Sequence, residues 1–296
     1  MKFSDLIGQD KALEYLRKFG HKLPATLLFQ GPDGVGKKTA AILLTQRLLC
    51  ENPLMTGEHC NECSSCVRVE KMVHPNFHFL RPDGTSHKIE TVRTLLKEVA
   101  FKPYEEGACV IVIDEAEKLT ESAANALLKT LEEPPDSVLF ILMSSAPGLL
   151  PATILSRCQK VSFQPLSEKL IQKLLISEGC DPQEAAVLAE ASEGSLGTAT
   201  SLREILKDET LSLSGFFKKF PRLSDREMSV WVERFSRDLP TTQSFLLLLR
   251  HHLRDKIISG ECSSERWAAL DEADRGLRGH SPRNLTLEVL LHQLSV

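Results

Sequence analysis

The sequence predicts an α/β fold: a parallel sheet covered by helices over residues 1–165, then an all-helical remainder. Three observations carry this. A short apolar segment, 24-PATLLFQ-30, runs into the glycine-rich turn 31-GPDGVGK-37 and then into a helical pattern, 38-KTAAILLTQRLLC-50. Two later runs, 109-CVIVIDE-115 and 138-VLFILMSS-145, are continuously apolar rather than alternating, as suits strands buried on both faces. No comparable strand follows residue 166.

The elements follow in order. An opening helix precedes the first strand. Shorter strand candidates are 76-NFHFL-80 and 160-KVSF-163. Between the two strong strands lies 120-TESAANALLKTLEEPP-135. Thr120 can cap its start. Ala124, Leu127, Leu128 and Leu131 recur at helical spacing on one face, and Pro134-Pro135 ends it. Strand and helix thus alternate up to residue 165. Three helices follow, 166-LSEKLIQKLLISEG-179, 182-PQEAAVLAEAS-192 and 198-TATSLREILK-207, with a glycine turn at 193-EGSLG-197. They predict a small helical domain over 166–207. A further helical domain is predicted over 208–296, clearest in 243-QSFLLLLRHHLRDKIIS-259 and 284-NLTLEVLLHQL-294.

A hydrophobic content of 42% and a charged content of 26% describe a globular protein, and no apolar run reaches the roughly 18 residues of a membrane helix. The opening MKFSDLIGQDKALEYL does not read as a signal peptide. The expected compartment is therefore reducing and cytoplasmic, with no membrane partner and few disulfides. A net charge of −4 leaves any nucleic-acid surface to a local basic patch.

The turn 31-GPDGVGKKTA-40 nearly completes the phosphate-loop pattern G-x-x-x-x-G-K-[ST]. Backbone N–H groups from Gly31 through Gly34 and Gly36 would wrap a phosphate at a helix N-terminus, and Lys37 would reach its outer oxygens. The hydroxyl that should bind magnesium is replaced by Lys38, whose ammonium has no lone pair. Thr39 comes one residue late, about 100° around the helix. The same turn without a ligand is the plainer reading.

The strand 110-VIVIDEAEKL-119 ends in Asp114-Glu115, where Asp114 would hold a magnesium shell and Glu115 would polarise an attacking water. Four cysteines, Cys50, Cys60, Cys63 and Cys66, carry two C-x-x-C spacings within an insertion whose turns use Gly57, Asn61 and Ser64-Ser65. Four thiolates close a tetrahedral structural zinc site with no open position; free thiols or a redox pair are the other readings. Arg157, in 156-SRC-158, can reach a neighbouring subunit's phosphate or simply lie in solvent.

Taken together, 7-IGQ-9, 31-GPDGVGK-37, the four cysteines, 74-HPN-76, 113-IDEAEKLT-120, 125-NALLKTLEEPP-135 and 155-LSRC-158 resemble bacterial DNA polymerase III clamp loader subunits of the AAA+ superfamily. The resemblance is strong over residues 1–165. It implies a P-loop NTPase-like core with an inserted zinc module (50–66), a helical lid (166–207) and a helical collar (208–296). It also implies a ring with gamma/tau motor subunits and delta, which places a sliding clamp on primer-template DNA. The family has zinc-bearing motor and delta-prime types. Motors carry GKT or GKS, and an arginine in the lid motif G-S-x-R. Here the sequence has GKK, and Gly197 stands where that arginine would be.

Both departures fall on the hydrolysis site, as in the delta-prime type. By that resemblance Arg157 is an arginine finger acting in trans, Ser144 or Ser145 stands in the sensor-1 region, and the helix of Lys129 faces DNA. ATP with magnesium stays a candidate cofactor through Gly31, Gly34, Gly36, Lys37, Thr39, Asp114 and Glu115. An ATP-hydrolysing motor, an independent phosphotransferase and a purely structural zinc protein are the alternatives.

Overall fold

The computed structural model describes residues 6–18, 25–55, 58–100, 107–135, 137–206, 220, 222–237, 239–258, 264–278 and 281–295. Pro24, Gly57, Lys207, Ser259 and Cys262 lie outside these described residues. The chain divides into two units, Met1–Pro165 and Leu166–Val296.

The first unit opens with α1 (Asp10–Lys18) and β1 (Thr26–Gln30), then α2 (Lys37–Leu49), α3 (Ser64–Glu70) and β2 (Phe77–Leu80). It continues with α4 (Ile89–Ala100), β3 (Cys109–Ile113), α5 (Glu121–Glu132), β4 (Val138–Ser144), α6 (Ala152–Leu155) and β5 (Gln159–Ser162). The strands form one sheet in the order β2-β3-β4-β1-β5, and every neighbouring pair is parallel. Every residue of β3 and β4 is buried, which is why those runs are continuously apolar.

The pleat sorts the strand residues between two cores. Leu27, Phe29, Val110, Val112, Leu139 and Ile141 face one side, against Ala40, Ala41 and Leu44 of α2 and Leu13 and Leu16 of α1. Leu28, Ile111, Ile113, Phe140 and Leu142 face the other, against Val92 and Leu95 of α4 and Ala124, Leu127 and Leu131 of α5. The result is a three-layer α/β/α unit whose loops at the C-terminal strand ends carry the glycine turn and Asp114-Glu115.

Local sequence sets the helix ends. The Thr120 hydroxyl accepts the N–H of Ala123 at 3.2 Å, the expected cap of α5. Ser64 and Ser65, expected in a turn, instead begin α3, because the Cys63 sulfur caps that helix by accepting the N–H of Cys66.

The second unit is helical: α7 (Glu168–Ser177), α8 (Pro182–Ala191), α9 (Leu196–Leu206), α10 (Asp225–Phe235), α11 (Leu239–Ile258), α12 (Ser264–Arg278) and α13 (Arg283–Ser295). The expected turn 193–197 is shorter than read. Ser195 accepts the Thr198 N–H on its hydroxyl at 3.0 Å, so α9 starts at Leu196 and Gly197 lies in its first turn. One apolar cluster joins α7, α8 and α9 with Leu248 of α11. A second joins α10, α12 and α13 with Phe245, Leu246 and Leu249 of α11. Phe235 and Phe245 stack there with centroids 4.1 Å apart. Among the described residues no helix is long and apolar enough to cross a membrane.

Candidate functional site

The glycine turn is a tightly folded loop at the end of β1. Gly31 donates its N–H to the Ser144 carbonyl of β4 at 3.2 Å. Its φ is +148°, and a Cβ added there would lie 2.3 Å from the Phe163 carbonyl oxygen. Gly34 and Gly36 have φ of +71° and +102°, a region in which only glycine is unstrained. Gln9, from 7-IGQ-9, fastens the loop. Its amide donates to the carbonyls of Val35 at 3.2 Å and Gln164 at 2.7 Å, and accepts the Gln164 N–H at 3.0 Å.

Lys37 is buried within this turn. Its ammonium donates to the carbonyls of Gly31 and of Pro32 (2.7 Å), and lies 3.3 Å from the Asp33 carboxylate. It points into the cradle, where a phosphate would draw on the same charge. Thr39 lies half-buried in the first turn of α2, one step around the helix from Lys38.

Asp114 and Glu115 follow β3 directly. The Asp114 N–H extends the ladder to the Leu80 carbonyl at 2.9 Å. Burial, then the adjacent Glu115 charge, lifts the Asp114 carboxyl above its ordinary value, while Lys38 and Arg81 pull it back. Glu115 sits in the left-handed region at φ +46° and pairs with Lys118. The buried His87 ring contacts the Asp114 carbonyl through Nε2 at 2.6 Å. That carbonyl accepts, so Nε2 carries the proton.

The loop, Lys37, Asp114 and Glu115 thus gather at one end of the sheet. Magnesium does not fit as it would in a hydrolysing loop. Lys38 occupies the position of its hydroxyl ligand and stands 5.4 Å from the ring of Phe79.

Beside Asp114-Glu115 lies a residue that no motif singles out. Glu117 accepts the N–H and the hydroxyl of Ser145, at 3.1 and 2.8 Å. Ser144 is buried, and its hydroxyl accepts the Ala146 N–H and also bonds the Glu117 carboxylate, so both serines are coupled to the acidic turn.

The cysteine module forms a second site. The sulfurs of Cys50, Cys60, Cys63 and Cys66 all lie within 4.8 Å of one another. Cys50 and Cys60 are 3.6 Å apart, and Cys60 and Cys66 4.0 Å. A zinc ion with Zn–S bonds of about 2.3 Å spaces its four sulfurs about 3.8 Å apart, so the four residues fit a tetrahedral metal. Backbone N–H groups of Cys63 and Glu62 pull the Cys60 thiol down to about 7, whereas burial raises those of Cys50 and Cys66.

The motif 74-HPN-76 explains how the module is held to the core. His74 is buried and accepts the Asn76 N–H at Nδ1, at 3.1 Å. Its Nε2 therefore carries the proton and donates to the Ser65 hydroxyl at 2.7 Å. Gln46 of α2 donates to the Cys66 carbonyl at 3.1 Å.

Arg157 lies just after α6. Its guanidinium pairs with Glu132 at the end of α5 and donates to the Thr153 carbonyl at 2.7 Å and the Ser156 hydroxyl at 3.2 Å. Lys129, one turn before Glu132, is exposed.

The sequence model of the family "DNA polymerase III, delta subunit" matches residues 8–167, more than half of the chain. Subunit delta' of Bacillus subtilis DNA polymerase III is 38% identical over 169 residues, 57% of this chain and 50% of that protein. Subunit tau of the same organism is 33% identical over 227 residues, 72% of this chain and 38% of that protein. The chain thus spans half or less of the length of these two relatives. Among solved structures, a DNA polymerase III gamma subunit-related protein of Thermotoga maritima aligns with a TM-score of 0.51 at 19% identity. That alignment covers 97% of this chain and all of the other, a likeness of fold.

Proposed function

Because the chain belongs to the DNA polymerase III delta subunit family, we propose that it works as a clamp loader subunit of the delta-prime type. In this reading it does not hydrolyse ATP itself. It lends Arg157 to the ATP site of a neighbouring gamma/tau motor while the complex, with delta, places the sliding clamp on primed DNA.

One observation carries the reading: the loop keeps its glycines and Lys37 but puts Lys38 where a metal-binding hydroxyl belongs. A motor needs that metal to neutralise charge as phosphate transfers. Gly197, in the first turn of α9, removes a second cation expected in a motor. The match to a relative named subunit delta' agrees with this.

Arg157 suits the donor role by position and chemistry. It is 30% exposed and held by one carboxylate and two local oxygens. A planar guanidinium can exchange those acceptors for the oxygens of a transferring phosphoryl group. Residues 1–165 would be the AAA+ core, 166–207 the lid and 208–296 the collar; the two apolar clusters of the second unit, joined by α11, support that division. Cys50, Cys60, Cys63 and Cys66 would hold a structural zinc that fixes the insertion and performs no chemistry.

The test is ATP hydrolysis by the purified chain, alone and reassembled with motor subunits, delta, clamp and primed DNA. The reading requires no turnover alone, and complex turnover that falls at least 10³-fold or so with Arg157→Ala. Turnover by the isolated chain, lost with Lys37→Ala and indifferent to Arg157, would make it a motor instead.

A further inference from the structure

Three elements converge beside the phosphate loop in a way the proposed function leaves unused. Leu80 of β2 pairs with Ile113 of β3, and the Asp114 N–H bonds to the Leu80 carbonyl. Arg81 therefore runs alongside Asp114 as the two strands end together. The Arg81 guanidinium carbon is 5.2 Å from the centre of the Phe79 ring, and the Lys38 ammonium is 5.4 Å from the same centre. Two cations, from the first turn of α2 and the end of β2, thus share one aromatic ring beside one carboxylate. Glu115 is paired with Lys118, so it is not turned to these two cations.

We propose that Lys38 and Arg81 stand in for the divalent ion at Asp114, so that the loop takes a nucleoside di- or triphosphate without metal. The inference rests on the reading of 31–37 as a phosphate loop. Magnesium requires near-octahedral oxygen ligands at about 2.1 Å, and Lys38 supplies a cation where the loop's oxygen should be. A doubly charged ion at the partly buried Asp114 would also face two positive charges, on the exposed Lys38 and Arg81, whose repulsion solvent screens only in part. A metal-free polyphosphate meets the opposite field: its outer oxygens, normally shared with magnesium, find the Lys38 ammonium and the Arg81 guanidinium. Burial, followed by Arg81, lowers the Lys38 pKa, and Asp114 opposes this.

The experiment is titration of the full chain with fluorescent ADP and ATP, in EDTA and in excess magnesium, with Mn²⁺ paramagnetic resonance as a second readout. The wild type should bind at least as tightly in EDTA as in magnesium and hold no Mn²⁺ at the nucleotide. Lys38→Thr restores the hydroxyl. It should weaken metal-free binding roughly tenfold, make tight binding depend on metal, and give a nucleotide-bound Mn²⁺ signal. Arg81→Ala should weaken metal-free binding in the same direction, and thermal melting checks that both variants are folded. Wild-type binding that requires magnesium, no wild-type nucleotide binding, or a Lys38→Thr protein indistinguishable from wild type would each overturn the proposal. The Arg157→Ala result in the assembled complex tests the stator reading separately, so the two can fail independently.

Discussion

The Arg157 guanidinium and the Glu132 carboxylate form an ion pair that ties the segment after α6 to the last turn of α5. Both partners are partly exposed, so the pair contributes under about 1 kcal/mol to folding. Glu132→Ala should therefore leave the melting temperature nearly unchanged and keep complex turnover. Arg157→Lys should stay at least about tenfold below wild type in the complex, because an ammonium cannot reproduce a planar two-pronged contact. Turnover restored by lysine would show that only charge matters at this position.

Gly31 and Gly148 make a matched pair of tests. A methyl at Gly31 meets the Phe163 carbonyl, whereas one at Gly148 meets nothing within 4 Å. Gly31→Ala should cost more than about 2 kcal/mol through strain and clash, while Gly148→Ala should stay within about 0.5 kcal/mol of wild type. Denaturant unfolding measures both.

The cysteine module should carry one tightly held zinc per chain, and stripping it should lower stability. Cys63→Ser removes a ligand and should abolish stoichiometric metal. His74→Ala leaves all four sulfurs but removes the bond to Ser65. It should cost about 2 kcal/mol and speed zinc loss to a chelator. Zinc retained at the wild-type rate would mean that His74 does not brace the module.

Glu117 supplies a pH signature. Burial alone would raise its carboxyl, but its own backbone N–H and the hydrogen bonds from Ser145 and Ser144 outweigh that and hold it below the ordinary value. A depressed carboxyl stabilises the fold at neutral pH and loses that contribution as acid protonates it. Ser145→Ala should cost about 1 kcal/mol at pH 7, and the difference from wild type should shrink as pH falls below about 4.5. A difference that persisted undiminished at pH 3 would refute the charged hydrogen bond.

Much of the first unit was legible because its signals are local and strong. Thr120 capped the helix expected of it, and the unbroken runs at Cys109 and Val138 became the doubly buried centre of the sheet. The cysteine spacing was enough to bring four sulfurs together. What was missed depends on distant partners or on caps of unusual chemistry. Glu132 lies 25 positions from Arg157 and Glu117 lies 28 from Ser145, and no spacing rule connects such pairs. The role of Arg81 needs the register of β2 against β3. A sulfur cap at Cys63 moved Ser64-Ser65 from turn to helix, and Ser195 moved Gly197 likewise.

The strand order carries a consequence for how the chain is made. Leu27 of β1 pairs with Ile141 and Gln159, so the first strand to leave a ribosome is flanked by two of the last. At synthesis rates of roughly 5–20 residues per second, the 114 positions from Leu27 to its first partner, Ile141, keep β1 waiting for roughly 6–23 s. An apolar strand left unpaired for that long is a hazard for aggregation. The cysteine module is the opposite case: Gln46, Cys50 through Cys66 and His74 span fewer than 30 positions. It can close on a metal while the sheet is still incomplete, and so give the nascent chain an early ordered island on which α2, and β1 behind it, can settle.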